Sequence, residues 1–124
     1  MSSSGQYQTA VIGNQGGNNG IYISTNYGAT GSWNYVNATS SCNWKYVAIS
    51  SSGQYQSIVA SGGSNNGIYN STNYGNTWVQ NASIVSQSYN NLNWYSIAMS
   101  ASGQYQTATV IDGSIYTSSD YGNT

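Results

Sequence analysis

The sequence predicts an all-β fold built from repeated units of four short antiparallel strands. Three observations carry that prediction. The 124-residue chain repeats itself: Ser4-Gly5-Gln6-Tyr7-Gln8 returns as Ser52-Gly53-Gln54-Tyr55-Gln56 and as Ser102-Gly103-Gln104-Tyr105-Gln106, and Ile21-Tyr22 returns as Ile68-Tyr69 and Ile115-Tyr116. The spacing gives a unit of roughly 47 to 50 residues, in the period range of propeller blades. Within a unit the side-chain alternation has a period of two, which is a strand signal. Clusters of Gly, Asn and Ser punctuate every junction, and no amphipathic helical window appears.

Each element follows from its residues. Residues 6 to 12, with copies at 54 to 60 and 104 to 110, alternate in the manner of Tyr55, Ser57 and Val59 against Gln56, Ile58 and Ala60, and read as one strand type. Gly67 to Ser71 and its copies form the next, each running into a polar turn. Thr77 to Asn81, with Trp33 to Asn37 as its counterpart, forms a third. Trp44 to Ile49 and Trp94 to Met99 are the most continuously apolar and are expected innermost, because a strand apolar on both faces belongs inside and an edge strand is more polar. Thr39 to Asn43 and Ser83 to Asn93 read as loops between blades. Counted in order, the chain supplies blade strands two to four, a full set, then one to three: ten strands in about 2.6 repeats of a β-propeller. In sequence the repeats run 2–50, 51–100 and, partially, 101–124, as a single propeller segment.

Composition excludes most chemistry. Only Lys45, Asp112 and Asp120 are charged, for a net charge of -1, and there is no His, Arg, Glu, Pro or Phe. Acid/base pairs, Ser-His-Asp triads, zinc sites and arginine clamps need residue types that are missing. The expectation is therefore no enzyme, no metal and no cofactor. One Lys cannot track a phosphate backbone, so no nucleic-acid partner is expected. No stretch approaches the roughly 18 apolar residues of a membrane span, and Ser2-Ser3-Ser4 follows Met1 without a signal-peptide pattern, which leaves localisation open. Cys42 is alone and reads as a buried small hydrophobe or as a thiol for pairing between chains. Asn37, Asn70 and Asn81 match the glycosylation acceptor pattern, as expected by chance in so Asn- and Ser-rich a chain.

Ser71-Thr72-Asn73-Tyr74-Gly75-Asn76-Thr77-Trp78 resembles the Asp-box, or BNR, repeat, whose pattern is Ser/Thr-x-Asp-x-Gly-x-Thr-Trp. That family includes propellers of sialidases, sortilin-type receptors and photosystem assembly factors. The resemblance implies a structural hairpin between the third and fourth strands of a blade, carried by Ser24, Asn26 and Gly28, by Ser71, Asn73, Gly75, Thr77 and Trp78, and by Ser118, Asp120 and Gly122. Gly75 supplies a positive φ, the short polar side chains satisfy turn amides, and Trp78 packs beneath. Asn replaces the acid in two copies, and the first copy carries the insertion Thr30-Gly31-Ser32-Trp33. A sialidase would need an arginine cluster and a catalytic Glu, and the chain has neither residue type.

Meander topology sorts the loops. The Ser51-Ser52-Gly53 turn and the boxes share one end, while the other end gathers Asn18, Asn19, Asn65, Asn66, Tyr89, Asn90, Asn91 and Asp112. Amides beside an aromatic ring suit sugar hydroxyls and a pyranose face, so a lectin-like, carbohydrate-binding end is the alternative functional reading. Asn and Gly also serve turn geometry, and Asp112-Gly113 reads first as a tight hairpin turn. Closed propellers hold four to eight blades, so about 2.6 repeats call for closure by oligomerisation or by a longer chain. The favoured expectation is a homodimer of about six blades, a non-catalytic module whose role is structural self-assembly.

Overall fold

Short hairpins between consecutive strands set the architecture. A computed structural model describes residues 1–13, 20–36, 42–62 and 65–124, with Asn90 described by its backbone alone. The strands are β1 (Gln8–Ile12), β2 (Gly20–Ser24), β3 (Asn34–Val36), β4 (Trp44–Ile49), β5 (Gln56–Ala60), β6 (Gly67–Ser71), β7 (Val79–Gln80), β8 (Trp94–Met99), β9 (Gln106–Val110) and β10 (Ile115–Ser118). They form three antiparallel sheets ordered β1-β2-β3, β4-β5-β6-β7 and β8-β9-β10. The expected division into three, four and three strands is the division observed. Each sheet is phased one strand ahead of the sequence repeat, since β4 and β8 open their sheets.

The sheets pack face to face in chain order, and the core lies in the two seams. Ile21 and Ile23 of the first sheet meet Ile58, Ala60 and Tyr69 of the middle one, with Cys42 and Trp44 in the same cluster. Val59 and Ile68 on the opposite face of the middle sheet meet Trp94, Ile97 and Ala108 of the third. Consequently β5 is buried along its whole length, on both faces. Burying Ile58 and Val59 completely contributes about 2 kcal/mol each. Cys42 is fully buried, and its Sγ lies 3.3 Å from the Asn65 carbonyl oxygen.

Two expectations change. The apolar strands β4 and β8 are sheet edges, and Tyr46 and Tyr95 on them are half exposed, with ring centroids 5.5 Å apart. The strand buried on both faces is β5, because the middle strands of a blade lie between neighbouring blades while the innermost strand borders the axis. Lys45 and Tyr95 occupy matching breaks in the register of β4 and β8. Both are exposed, so a cation in one blade and a phenol in the next are equally tolerated. The second change is helical. The segment read as the loop from Ser83 to Asn93 holds all but the first residue of α1 (Ala82–Ser86) and a 3₁₀ turn at Tyr89–Asn91. Asn81 caps α1, its side-chain oxygen accepting from the Ile84 N–H at 3.0 Å. A single turn is too short to show a 3.6-residue pattern. Among the described residues no helix is long and apolar enough to cross a membrane.

Candidate functional site

Two repeated polar turns lie side by side at one end of every sheet. In the first, Ser2, Ser50 and Ser100 accept through Oγ from the N–H groups of Tyr7, Tyr55 and Tyr105 at 3.0, 3.1 and 3.1 Å. Gln8, Gln56 and Gln106 donate back to the carbonyls of Gly5, Gly53 and Gly103. The second is the box between β2 and β3, between β6 and β7, and after β10. Ser24, Ser71 and Ser118 accept through Oγ from the N–H groups of Gly28, Gly75 and Gly122 at 3.1, 3.0 and 3.0 Å. Asn73 Oδ1 accepts from the Thr77 N–H, and Asp120 Oδ1 from the Thr124 N–H, each at 3.0 Å. Asn and Asp thus fill the same acceptor position. In the first box the inserted Ser32 puts its hydroxyl 2.7 Å from that of Ser24. Trp78 packs partly buried against the first seam, its indole N–H buried without a hydrogen-bond partner.

These turns also join the sheets to one another, and three kinds of join recur at the same repeat positions in both seams. Tyr7 of the first sheet lies 4.5 Å from Tyr74 in the box of the second, and Tyr55 of the second lies 4.5 Å from Tyr121 in the box of the third. Thr9 donates to Gln56 at 2.6 Å, and Ser57 donates to Gln106 at 2.7 Å. The Ser3 N–H donates to the Ser51 carbonyl and the Ser51 N–H to the Ala101 carbonyl, at 2.9 and 2.8 Å. A methyl group on Gly53 would lie 2.6 Å from Tyr7 Cβ, and one on Gly103 2.7 Å from Tyr55 Cβ, so only glycine admits the neighbouring tyrosine. At Gly5 the nearest atom would be 4.0 Å away. The Ser-Gly-Gln-Tyr-Gln segment, legible as a landmark and a turn, is therefore also the joint, with its recurrence as the available signal.

Several of the loop residues expected at the other end make contacts of their own among the described residues. The Asn65 carbonyl accepts from the Tyr69 hydroxyl at 3.0 Å, and the Asn66 carbonyl accepts from Gln80 Nε2 at 2.9 Å. Tyr89 packs edge-on against Tyr116 at 5.2 Å, in the second seam, and its carbonyl accepts from the Trp94 indole at 3.0 Å. Asn91 is exposed on the 3₁₀ turn, whereas Asn18, Asn19 and the Asn90 side chain lie outside the described residues. Asp112 sits with φ 53° in the turn from β9 to β10, as a tight hairpin requires. Asn70 and Asn81 both donate through Nδ2 to the Gly122 carbonyl, the first at 2.6 Å, which commits two of the three acceptor-pattern amides to the second seam. Asn37 lies outside the described residues. Among the described residues no three His, Cys, Asp or Glu side chains come together.

Successive antiparallel blades, packed face to face with their box hairpins at one end, define a partial β-propeller. No family model matches the chain, and no curated protein does. Among solved structures it is similar to a chain described as YCF48 bound to D1 peptide, with a TM-score of 0.71 and 14% identity over 99% of this chain and 37% of that one. The chain thus spans little more than a third of the length of that propeller, and at this identity the likeness is one of fold.

Proposed function

We propose that this chain is a non-catalytic propeller module whose defining property is self-association. Two copies join end to end, the third sheet of each against the first sheet of the other, closing a ring of six blades. One observation carries this reading: the two outer faces hold complementary halves of the joint that recurs inside the chain. Ile115 is 71% exposed, whereas Ile21 and Ile68, its repeat counterparts, are 0% and 9% exposed. Tyr105 and Tyr27 are 59% and 62% exposed and correspond to the two rings that the internal joints pair. In the proposed joint Tyr105 lies against Tyr27 of the partner copy, the Thr107 hydroxyl meets Gln8, and the Ala101 N–H meets the Ser3 carbonyl. Such a head-to-tail contact closes when the rotation per blade divides the circle, and six blades fall within the known range. A net charge of -1 leaves little repulsion between copies. The absence of His, Arg and Glu from the sequence supports a module without catalysis.

The test is molecular mass in solution together with a directed cross-link. Dimer mass is expected for the native chain and monomer mass for Ile115→Asp. Mixing a Tyr105→Cys chain with a Tyr27→Cys chain under mild oxidation is expected to give a disulfide-linked pair that neither variant gives alone. A stable monomer at every concentration overturns the proposal. The alternative of a carbohydrate-binding end has less support, because the Tyr89 ring packs against Tyr116 in the second seam.

A further inference from the structure

The middle and third sheets also meet along their inner strands, and there two phenols converge. β4 and β8 carry the same irregularity, a break in register just after Trp44 and just after Trp94. A bulge of this kind bends its strand and re-aims the side chains beside it. Tyr95 stands in the break of β8 and Tyr46 directly follows the break of β4, and the two rings meet across the seam. Their centroids are 5.5 Å apart and their planes are tilted by 56°. The Tyr46 hydroxyl donates to that of Tyr95, and this bond, with the repulsion of a second phenolate behind it, holds the Tyr46 phenol above its ordinary value. Joined hydroxyls bring the flanking ortho carbons together, and those carbons carry much of the unpaired spin of an oxidised phenol. The repeat counterparts of Tyr46 and Tyr95 are Ser96 and Lys45, so the pair is not imposed by the repeat. The chain holds a single cysteine, and it is buried, so no disulfide within one chain ties these sheets.

We propose that Tyr46 and Tyr95 are a site of oxidative cross-linking, coupled to dityrosine by hydrogen peroxide acting through a one-electron peroxidase. Each phenol gives up one electron and its hydroxyl proton, and the two phenoxyl radicals form one carbon–carbon bond between ortho positions. The hydrogen on each bonded carbon then moves to the oxygen of its own ring, which restores two phenols. Two protons and two electrons leave in all, and with them one hydrogen peroxide becomes two waters. Proximity replaces an encounter between dilute radicals by one between neighbours. Tyr7 and Tyr55, in the pairs with centroids 4.5 Å apart, are wedged against Gly53 and Gly103, which hinders their turning into a biaryl product. The product at Tyr46 and Tyr95 ties the middle sheet to the third across a loop of about 50 residues, a link that stabilises by restricting the unfolded chain. The pair lies within one chain, so it does not depend on the joint between copies.

The experiment treats the whole chain, at low micromolar concentration, with a peroxidase and hydrogen peroxide. Dityrosine fluorescence, the mass of the denatured chain and peptide maps by tandem mass spectrometry are the readouts. Expected is a product with the mass of one chain less two hydrogens, in a yield independent of chain concentration, whose cross-linked peptides carry Tyr46 and Tyr95. Tyr46→Phe and Tyr95→Phe are each expected to lower dityrosine fluorescence of the single-chain product at least about tenfold, since the remaining radical has lost its neighbour. Circular dichroism confirms that the variants fold, and if either does not, the peptide map of the native chain decides alone. A single-chain cross-link at Tyr7 and Tyr74 or at Tyr55 and Tyr121, with none at Tyr46 and Tyr95, overturns the proposal. Cross-links found only between chains, or fluorescence unchanged in both variants, overturn it as well.

Discussion

Each box hairpin passes through two consecutive left-handed residues, and only the second is glycine. Tyr27, Tyr74 and Tyr121 have φ of 55°, 62° and 64°, followed by Gly28, Gly75 and Gly122 at 70°, 83° and 80°. A tyrosine in that region costs about 1–2 kcal/mol. At Tyr74 and Tyr121 the ring contact with the preceding sheet offsets part of that cost, as do the N–H bonds to Gln54 and Gln104. The glycine has no such freedom to change. A methyl group on Gly75 would lie 2.9 Å from Ile23 Cγ2 and 3.0 Å from Gln56 Oε1, on a left-handed backbone. Gly75→Ala is therefore expected to lower unfolding stability by about 2 kcal/mol or more, read by urea denaturation. Asp120 yields a pH prediction. Hydrogen bonds from the Thr124 N–H first, then from the Ser118 and Thr124 hydroxyls and the Asn123 N–H, push its carboxyl down to about 2 from 3.8. A depressed folded-state pKa contributes stability that is full above 3.8 and lost as pH falls through about 2. Melting temperature is expected to drop across that window and to drop less in Asp120→Asn, since Asn73 makes the corresponding bond to Thr77.

At the scale of elements, α1 acts as a clip on the third box. Asn81 caps the helix through its oxygen and holds the Gly122 carbonyl through its nitrogen, while the Ser83 hydroxyl donates to the Asn123 carbonyl at 3.3 Å. Asn81→Ala removes a cap and a bond across the seam, and an unfolding measurement is expected to register a loss of about 2 kcal/mol. Nothing in the local pattern announced this clip, because Asn81 is one of many Asn residues in turn-like company. The strands were legible for the opposite reason. Alternation, Gly and Ser at the turns, and the Trp that precedes or opens a strand are short-range signals, and they recur three times in register. Side-by-side contacts left no such trace. That Tyr55 meets Tyr121, or that Tyr89 turns into the seam beside Tyr116, depends on which sheet faces which. The polarity of β5 misled for the same reason: Gln56 and Ser57 look like surface residues, yet the first is held by the Gly53 carbonyl and the second by Gln106, both fully buried.

For the molecule as a whole, every observed strand pairing is with the next strand along the chain. Such pairing keeps loop-closure costs low and lets each sheet form before it docks. The three sheets are nevertheless unequal. The middle sheet has a neighbour on both faces, while the first and third each turn one face outward in a single chain. Amide hydrogen exchange is expected to record that inequality as a gradient of protection: slowest in β5 and β6, faster in β1 and β9, fastest along the outer edge of β10. Dilution would convert the same gradient into a measure of the proposed assembly, because in the proposed ring a partner copy would cover the outward faces of β1 and β9 and leave β5 as it was. The sandwiched strand is thus an internal clock within the chain, against which the proposed closing of a ring would be timed.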